Sequence, residues 1–313
     1  MRIDPRLAQG APQAARRYAA PMRRHFESQG YRIAFDDLGE GPPIVLLHGF
    51  GASRRLNWAV TGWYSALQQA GFRVIAADAR GHGTSDKPSD PAAYRPEGIA
   101  GDTIRLLDHL RLERACLFGY SMGGRNAAWL LAHHPDRLEA VVIGGTGINL
   151  LRIDDPEVWT SRGFSLTADN AKTESLAIPS MAALYRRATR HGGRVGALAA
   201  CLLGSFPNMA AGEFARVRVP TLVACGSEDT LAGSPIPLAE SIPGARAVSV
   251  PGRSHLSAIT DPFLKGAVLG FLGARWPRVS TAAASPRAGG RRGRGGRTRA
   301  STRGSSPPRA GTA

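Results

Sequence analysis

The sequence predicts an α/β protein built on a mostly parallel sheet with helices on both faces. Short apolar runs without polar alternation, as expected for strands buried on both faces, recur along the chain. They lie at residues 44–47, 72–77, 115–118 and 141–143. Segments with helical spacing of apolar side chains separate these runs, and such alternation of strand and helix is typical of a parallel sheet.

The remaining elements fit the same architecture. Residues 31–38 alternate like a strand with one exposed face, and a Gly/Pro turn follows them at 39–43. Further strands are predicted at residues 219–224 and 247–250, and helices at 58–70, 96–110, 125–134, 236–242 and 262–271. The alternation lapses between residues 147 and 216, where several helices and no clear strand are predicted. We interpret that segment as a helical insertion in the α/β core.

The two ends of the chain differ from the body in charge. The whole chain carries a formal net charge of +16, but residues 274–313 contain ten arginines and no acidic residue. Residues 1–24 are rich in Ala, Arg and Pro, and we expect a loosely ordered arm there. Because residues 274–313 are Gly/Arg/Ser/Pro-rich with little to bury, we expect a disordered tail. The body is nearly neutral, so no nucleic-acid-binding core is predicted, although the tail is compatible with non-specific contact to RNA.

Cysteine usage and hydropathy indicate the cellular setting. Cys116, Cys201 and Cys225 lie in apolar runs without CxxC spacing, which argues against a disulfide framework and a zinc site. Arginines interrupt the N-terminal segment, so no signal peptide is predicted, and no apolar run reaches the length of a membrane span. We expect a cytoplasmic protein without a cofactor or a metal.

One stretch has the pattern of a nucleophile elbow. An apolar strand ends at Gly119, and Tyr120, Ser121, Met122 and Gly123 complete the arrangement G-x-S-x-G before a helical segment. In this arrangement a sharp turn between strand and helix exposes the serine hydroxyl at the end of the strand. The pattern alone also fits an ordinary Gly/Ser turn, so the rest of the chain has to support it.

That support comes from the polar residues that follow the other strands. The residues found at such strand ends are His48, Asp78, Ser121, Asp229 and His255. Functional side chains of open parallel sheets gather at the carboxyl ends of the strands. A serine nucleophile needs a histidine base, and the histidine needs a carboxylate that fixes its tautomer. We therefore predict Ser121 as nucleophile, His255 as base and Asp229 as orienting acid, with Glu228 as the competing acid.

The motifs together resemble the α/β-hydrolase-fold serine hydrolases that carry a lid. The resemblance spans roughly residues 30–272. The matching stretches, in the order of the family, are His48-Gly49-Phe50-Gly51, Asp78-Ala79-Arg80-Gly81-His82-Gly83-Thr84-Ser85, Gly119-Tyr120-Ser121-Met122-Gly123-Gly124, Gly226-Ser227-Glu228-Asp229 and Gly252-Arg253-Ser254-His255. It implies an eight-stranded sheet with a core at residues 25–146 and 217–273. It also implies a small helical lid, residues 147–216, inserted after the sixth strand.

The resemblance also implies an oxyanion hole. The backbone N–H groups of Phe50 and Met122 would stabilise the negative charge that acyl transfer builds on the carbonyl oxygen. His48, Arg80, His82 and Asp86 are interpreted as residues that order the loops. Trp159, Phe164 and Tyr185 of the lid, and Arg125 behind the elbow, are candidate substrate contacts. Aromatic residues at helical spacing more often pack within a lid, and an arginine at this place is more often solvated or orders the helix.

We therefore expect a cofactor-independent hydrolase that cleaves a small carboxylic ester or related acyl compound through an acyl-serine. A serine nucleophile argues against epoxide hydrolases and haloalkane dehalogenases of this fold, whose nucleophile is an aspartate. A carbon–carbon bond hydrolase or a lyase remains an alternative. A non-catalytic receptor or scaffold, or RNA binding through the tail, are alternatives of another class. The oligomeric state and the substrate do not follow from the sequence.

Overall fold

The computed structural model describes residues 24–151, 194–204 and 209–276. The predicted arm up to residue 23, most of the predicted lid and the predicted tail beyond residue 276 lie outside the described residues. The strands in the described part are β1 (Arg24–Ser28), β2 (Tyr31–Leu38), β3 (Pro43–Leu47), β4 (Arg73–Ala77), β5 (Ala115–Tyr120), β6 (Leu138–Gly144), β7 (Thr221–Gly226) and β8 (Arg246–Val250).

These strands form a single sheet in the order β1-β2-β4-β3-β5-β6-β7-β8. The pairs β1–β2 and β2–β4 are antiparallel, and every other neighbouring pair is parallel. The predicted mostly parallel, eight-stranded sheet is thereby confirmed. β1 was not predicted, and it begins at Arg24 inside the expected arm. A tight turn joins it to β2 through Gln29 and Gly30, both with positive φ, as two-residue hairpins require.

The helices of the described residues follow the strands in the expected alternation. Their bounds are α1 (Trp63–Gln69), α2 (Pro96–Ile99), α3 (Gly101–His109), α4 (Met122–His133), α5 (Val195–Gly204), α6 (Ile236–Ser241) and α7 (Pro262–Gly273). The helix predicted at 58–70 is divided into a π-helical turn, Arg55–Ala59, and α1. None of these helices combines the length and the apolar composition needed to cross a membrane.

Alternate residues of the buried strands face two separate hydrophobic cores. In β3, Val45 packs with α3, α4 and α6 on one face, while Ile44 and Leu46 pack with α1 and α7 on the other. Because both faces of β3 are covered by helices, the strand has no polar position, which explains its unbroken apolar run. Trp58 and Trp63 fill the second core, where both stack edge-on or tilted against Phe118 of β5.

A third, smaller apolar cluster lies at the carboxyl end of the sheet. Leu198 and Cys201 of α5 pack there against Phe50, Tyr94 and Met122. Helix α5 belongs to the segment predicted as a lid, and the short 3-10 turns Ile148–Leu150 and Ala211–Phe214 flank the undescribed part of that segment. The predicted boundaries of core and lid stay a prediction.

The start of α4 lies unusually close to the end of β3. A Cβ atom on Gly123 would lie 2.0 Å from the carbonyl oxygen of Leu47, and one on Gly119 would lie 2.0 Å from the carbonyl oxygen of Gly123. Both obstacles are backbone atoms, which cannot rotate away. Glycine is therefore required at these positions for β3, β5 and α4 to meet.

We predict that Gly123→Ala lowers the free energy of unfolding by about 3 kcal/mol or more, since overpacking against backbone forces a shift of α4. Chemical denaturation would measure the change. Gly270→Ala is the matched control, because a Cβ at Gly270 of α7 meets no atom within 4 Å. This substitution should leave stability unchanged or raise it by up to about 1 kcal/mol, the helix propensity difference between the residues. Equal effects of the two substitutions would contradict the prediction.

Candidate active site

Ser121 lies at the junction of β5 and α4 with strained backbone dihedral angles. Its φ of 58° and ψ of −117° are unfavourable for a residue with a side chain. The glycines at 119 and 123 permit the tight turn that imposes these angles. Ser121 N–H donates to the carbonyl of Gly144 at 2.8 Å, which anchors the turn to β6. The strain thus holds the hydroxyl at the carboxyl end of the sheet, as the elbow pattern predicts.

The three side chains predicted to form a triad lie in one chain of hydrogen bonds. His255 Nε2 lies 2.8 Å from Ser121 Oγ. On the other side of the ring, His255 Nδ1 lies 2.8 Å from Oδ2 and 3.0 Å from Oδ1 of Asp229. Because a carboxylate can only accept, the hydrogen in this contact belongs to Nδ1. Nε2 then carries the lone pair that can accept the serine proton.

Of the two candidate acids, Asp229 contacts the ring of His255. The side chain of Asp229 is fully buried, whereas Glu228 is exposed. Asp229 Oδ1 also accepts hydrogen bonds from the backbone N–H groups of Leu231, at 3.1 Å, and Ala232, at 2.9 Å. These donors hold the carboxylate in place and fix its orientation toward the ring.

The histidine loop is fastened to the elbow strand. Tyr120 of β5, next to Ser121, donates its hydroxyl to the carbonyl of His255 at 2.7 Å. Burial raises the pKa of the Tyr120 phenol well above its ordinary value, so this donor stays protonated. Because Tyr120 directly precedes Ser121, this bond fixes the position of His255 relative to Ser121.

Three side chains hold the loop that follows β3, which contains Phe50. Asn57 Oδ1 accepts from the N–H of Gly49 at 3.1 Å. His82 Nε2 accepts from the N–H of Gly51 at 3.1 Å. His48 donates from Nδ1 to the carbonyl of Gly49 at 2.8 Å, and its Nε2 accepts from the N–H of Ala79 at 3.0 Å.

Both histidines that hold this loop are kept in the neutral form. Burial lowers the pKa of His48 below its ordinary value, and it lowers the pKa of His82 to about 3 with a further contribution from His48. His82 Nδ1 donates to the carbonyl of Arg80 at 2.9 Å, which leaves Nε2 as an acceptor. A protonated His82 could not accept the N–H of Gly51, so neutrality is a condition of this loop conformation.

Buried ion pairs fix the adjacent loops. Asp78 accepts from the backbone N–H groups of Arg54 and Thr84, both at 2.8 Å, and pairs with the guanidinium of Arg54. Arg54 Nε lies 3.0 Å from Asp36 Oδ1. Arg80 donates to both carboxylate oxygens of Asp102 at 2.7 Å. Asp86, in the same loop as Arg80, accepts from a backbone N–H of β2 at 2.8 Å.

A cavity of about 110 Å³ opens beside Ser121 and His255. Its described lining comes from the loop after β3, the π-helical turn, the elbow and the segment that begins at His255. The members are Gly49, Phe50, Gly51, Ala52, Leu56, Asn57, Thr61, Tyr120, Ser121, His255, Leu256, Ile259 and Thr260. Sequence reasoning missed Asn57, because it follows no strand and belongs to no motif.

The predicted substrate contacts have different outcomes. Trp159, Phe164 and Tyr185 lie outside the described residues. Arg125 follows the elbow in the first turn of α4, and burial lowers its pKa to about 10. It is not among the described residues that line the cavity.

Phe50 lines the cavity, and Met122 is the first residue of α4, where the backbone N–H has no partner within its own helix.

Metal ligation has no support in the described part of the chain. No group of three or more His, Cys, Asp or Glu side chains in those residues could hold a metal ion. Cys116, Cys201 and Cys225 are buried, and none of them forms a disulfide bond within the described residues.

Comparison with known proteins gives the same fold. The 3-oxoadipate enol-lactonase 2 of Acinetobacter baylyi is 32% identical over 135 residues, which cover 43% of this chain and 48% of that protein. The epoxide hydrolase 3 of Siraitia grosvenorii is 34% identical over 121 residues, 37% of this chain and 35% of that protein. The chain thus spans less than half the length of these relatives.

The solved structures match over a larger share. The enol-lactonase of Burkholderia xenovorans LB400 superposes with a TM-score of 0.63 at 30% identity, covering 80% of this chain and 99% of that one. A family model of the α/β hydrolase fold matches residues 42–212. With its sheet, its elbow and these matches, the chain belongs to the α/β hydrolase fold family.

Proposed function

We propose that the protein is a cofactor-independent serine hydrolase that cleaves a small carboxylic ester or a related acyl compound, such as a lactone, through an acyl-serine intermediate. The observation that carries the proposal is the hydrogen-bonded chain from Ser121 through His255 to Asp229 beside an open cavity. The enol-lactonases among the relatives support a cyclic ester as well as an open one.

The first half-reaction transfers the acyl group to the enzyme. Ser121 Oγ attacks the carbonyl carbon while His255 Nε2 takes the hydroxyl proton, and Asp229 stabilises the resulting imidazolium. The carbonyl π electrons move to oxygen, and the N–H groups of Phe50 and Met122 bind that oxyanion. When the intermediate collapses, the C–O bond to the alcohol breaks, and the alcohol oxygen takes the proton from His255.

The second half-reaction returns the free enzyme. A water molecule gives a proton to His255 Nε2 and attacks the acyl carbon, and the same oxyanion site holds the new tetrahedral intermediate. Collapse breaks the bond to Ser121 Oγ, which regains its proton from His255. The carboxylic acid leaves, and every proton is accounted for without a metal or a redox cofactor.

The geometry of the loop after β3 supports this role for Phe50. Oxyanion stabilisation requires donors that are fixed before the charge develops. Gly49 and Gly51, on either side of Phe50, are both tied by their N–H groups to buried side chains. A Cβ on Gly49 would lie 3.2 Å from Ser121 Cβ, so this loop lies directly against the nucleophile.

Hydrolysis of an epoxide is not part of the proposal, although relatives carry that name. An aspartate that opens an epoxide forms an ester, which water can then hydrolyse at its carbonyl carbon. Ser121 would form an ether, which has no carbonyl for water to attack, and the enzyme would remain alkylated. The serine at the elbow therefore favours acyl compounds.

We predict that Ser121→Ala lowers kcat for p-nitrophenyl esters by roughly four to six orders of magnitude, because the covalent step is lost. The absorbance of released nitrophenolate, followed for esters of different acyl chain length, would measure kcat. A fluorophosphonate probe should label the wild type and leave Ser121→Ala unlabelled. Equal labelling of both proteins would contradict the proposal that the protein is an enzyme with Ser121 as nucleophile. Labelling without hydrolysis of any ester would favour the carbon–carbon hydrolase or lyase alternative.

We predict that Asp229→Asn lowers kcat roughly 10⁴-fold, because the amide favours the wrong tautomer of His255. Glu228→Gln is the matched control, since this substitution removes the same charge from the neighbouring, exposed position. It should keep kcat within about twofold, as expected for a surface change. A larger loss in Glu228→Gln than in Asp229→Asn would reverse the assignment of the acid.

The buried His82 predicts a dependence of stability on pH. The pKa of His82 in the folded protein, about 3, lies below its value in the unfolded chain. Its contribution to the free energy of unfolding is therefore fully present above pH 6.5 and is lost as the pH falls toward 3. From pH 7 to pH 5 the loss is about 2 kcal/mol. Urea unfolding at both values should show a pH dependence smaller by about this amount in His82→Gln. An identical dependence in the two proteins would contradict it.

A further inference from the structure

The backbone of Ser121 is held on both sides by the end of β6 and the residues that follow it. The N–H of Ser121 donates to the carbonyl of Gly144 at 2.8 Å. The carbonyl of Ser121 accepts a hydrogen bond from the hydroxyl of Thr146 at 2.9 Å. The first bond continues the pairing of β5 with β6, whereas the second depends on a side chain. Thr146 thus acts directly on the strained turn that carries the nucleophile.

The carbonyl that Thr146 binds belongs to the same peptide unit as the N–H of Met122. Because a peptide unit is planar, a bond that fixes the direction of the Ser121 carbonyl also fixes the direction of the Met122 N–H. A hydrogen bond accepted at the carbonyl polarises the unit and makes its N–H a stronger donor. In the proposed mechanism this N–H binds the oxyanion. Thr146 is not among the described residues that line the cavity, so it acts on that donor through the backbone.

The Ser121 carbonyl accepts a second hydrogen bond, from the backbone N–H of Arg125 at 3.0 Å. That donor belongs to the first turn of α4, so it moves together with the helix. The Thr146 hydroxyl comes from the loop after β6 and ties the same carbonyl to the sheet. Of these two bonds, the one from Thr146 therefore holds the peptide unit against the sheet.

Thr146 is itself buried in a fixed part of the structure, with 4% of its surface exposed. The preceding N–H, of Gly145, donates to the carbonyl of Ala224 in β7 at 2.8 Å. A Cβ atom on Gly124 of α4 would lie 2.5 Å from Thr146 Oγ1. Glycine at position 124 thus lets the helix approach the hydroxyl, and the bond to the Ser121 carbonyl forms in the space that this leaves.

We propose that Thr146 is a positioning residue that sets the direction and the donor strength of the Met122 N–H in the oxyanion site. The inference rests on the proposed function and adds to it a residue that acts through the backbone of the nucleophile. Loss of the hydroxyl slows both half-reactions, because both pass through an oxyanion at the same N–H. Binding of the uncharged substrate is unchanged, since the interaction strengthens as charge develops.

Thr146→Val removes the hydroxyl and keeps the shape of the side chain. We expect kcat for p-nitrophenyl acetate to fall roughly tenfold, the value of one hydrogen bond, and KM to change by less than about twofold. Thr146→Ser restores a hydroxyl at the same position and should keep kcat within about twofold of the wild type. Steady-state kinetics of the three full-length proteins measure both quantities.

Thr221→Val is the matched control. Thr221 is buried, and its Oγ1 donates to the carbonyl of Val219 at 2.9 Å. It is the first residue of β7, at the opposite end of the parallel sheet from Ser121. Both valine variants lose a buried hydroxyl, so their urea midpoints should fall by similar amounts, while kcat falls in Thr146→Val alone. An equal loss of kcat in the two variants would overturn the proposal.

A trifluoromethyl ketone separates binding of the oxyanion from binding of the neutral ligand. Ser121 Oγ adds to the ketone carbon, its proton passes to His255, and the carbonyl oxygen becomes an oxyanion. The corresponding methyl ketone occupies the cavity without appreciable addition. In Thr146→Val the inhibition constant of the trifluoromethyl ketone should rise roughly tenfold, in step with the loss of kcat, and that of the methyl ketone should stay unchanged. A parallel rise for both ketones would indicate a distorted cavity and overturn the proposal.

A second pair of variants covers the case in which Thr146→Val does not fold. Thr146→Ala and Thr146→Ser both lack the methyl group and differ from each other only by the hydroxyl. The same roughly tenfold difference in kcat is expected between them. Equal kcat values in this pair would overturn the role of the hydroxyl.

Failure of this inference is distinguishable from failure of the proposed function. Wild-type kcat and ketone affinities in Thr146→Val, in a protein that hydrolyses the ester, would overturn the role of Thr146 alone. Absence of hydrolysis in the wild type, together with absence of fluorophosphonate labelling at Ser121, would overturn the proposed function and this inference with it.

Discussion

The close approach of the backbone at Gly123 to the carbonyl of Leu47 is the constraint on which the site depends. It brings the start of α4 against the end of β3, next to the loop that contains Phe50. Ser121 takes up its strained φ because the chain must reverse within that space. A side chain at either elbow glycine would separate the nucleophile from the loop that is proposed to bind the oxyanion.

Burial of polar groups around this contact makes the loops rigid. His48, His82 and Asp78 are buried, and each accepts a hydrogen bond from a backbone N–H of a neighbouring loop. The buried guanidinium of Arg54 pairs with the Asp78 carboxylate. An unpaired buried polar group is costly, so these loops have few alternative arrangements in which every partner is satisfied. The same low polarity that lowers the histidine pKa values also strengthens any hydrogen bond formed to a developing oxyanion.

The sequence predicted the features that local pattern determines. Central strands appear as unbroken apolar runs because both faces are covered, and Ser121 and Asp229 each follow such a strand. His255 follows β8 at the edge of the sheet. The edge strand β1 was missed, since its five residues mix charge and apolar character and gain their order by pairing with β2. Helix α4 was predicted to begin at Arg125, because Gly123 and Gly124 disfavour helix locally, whereas contact with β3 requires glycine there. Asn57 carries no local signal, since its partner is a backbone amide in another loop.

Asn57 connects the π-helical turn to the loop after β3 through a single planar group. Its Oδ1 accepts from the N–H of Gly49, and this contact fixes the position of the loop. A Cβ on Gly49 would lie 3.2 Å from Ser121 Cβ, so the loop lies directly against the elbow. In the proposed mechanism the oxyanion donors must be fixed before the charge develops, and Asn57 contributes by holding the amide next to that of Phe50 in place.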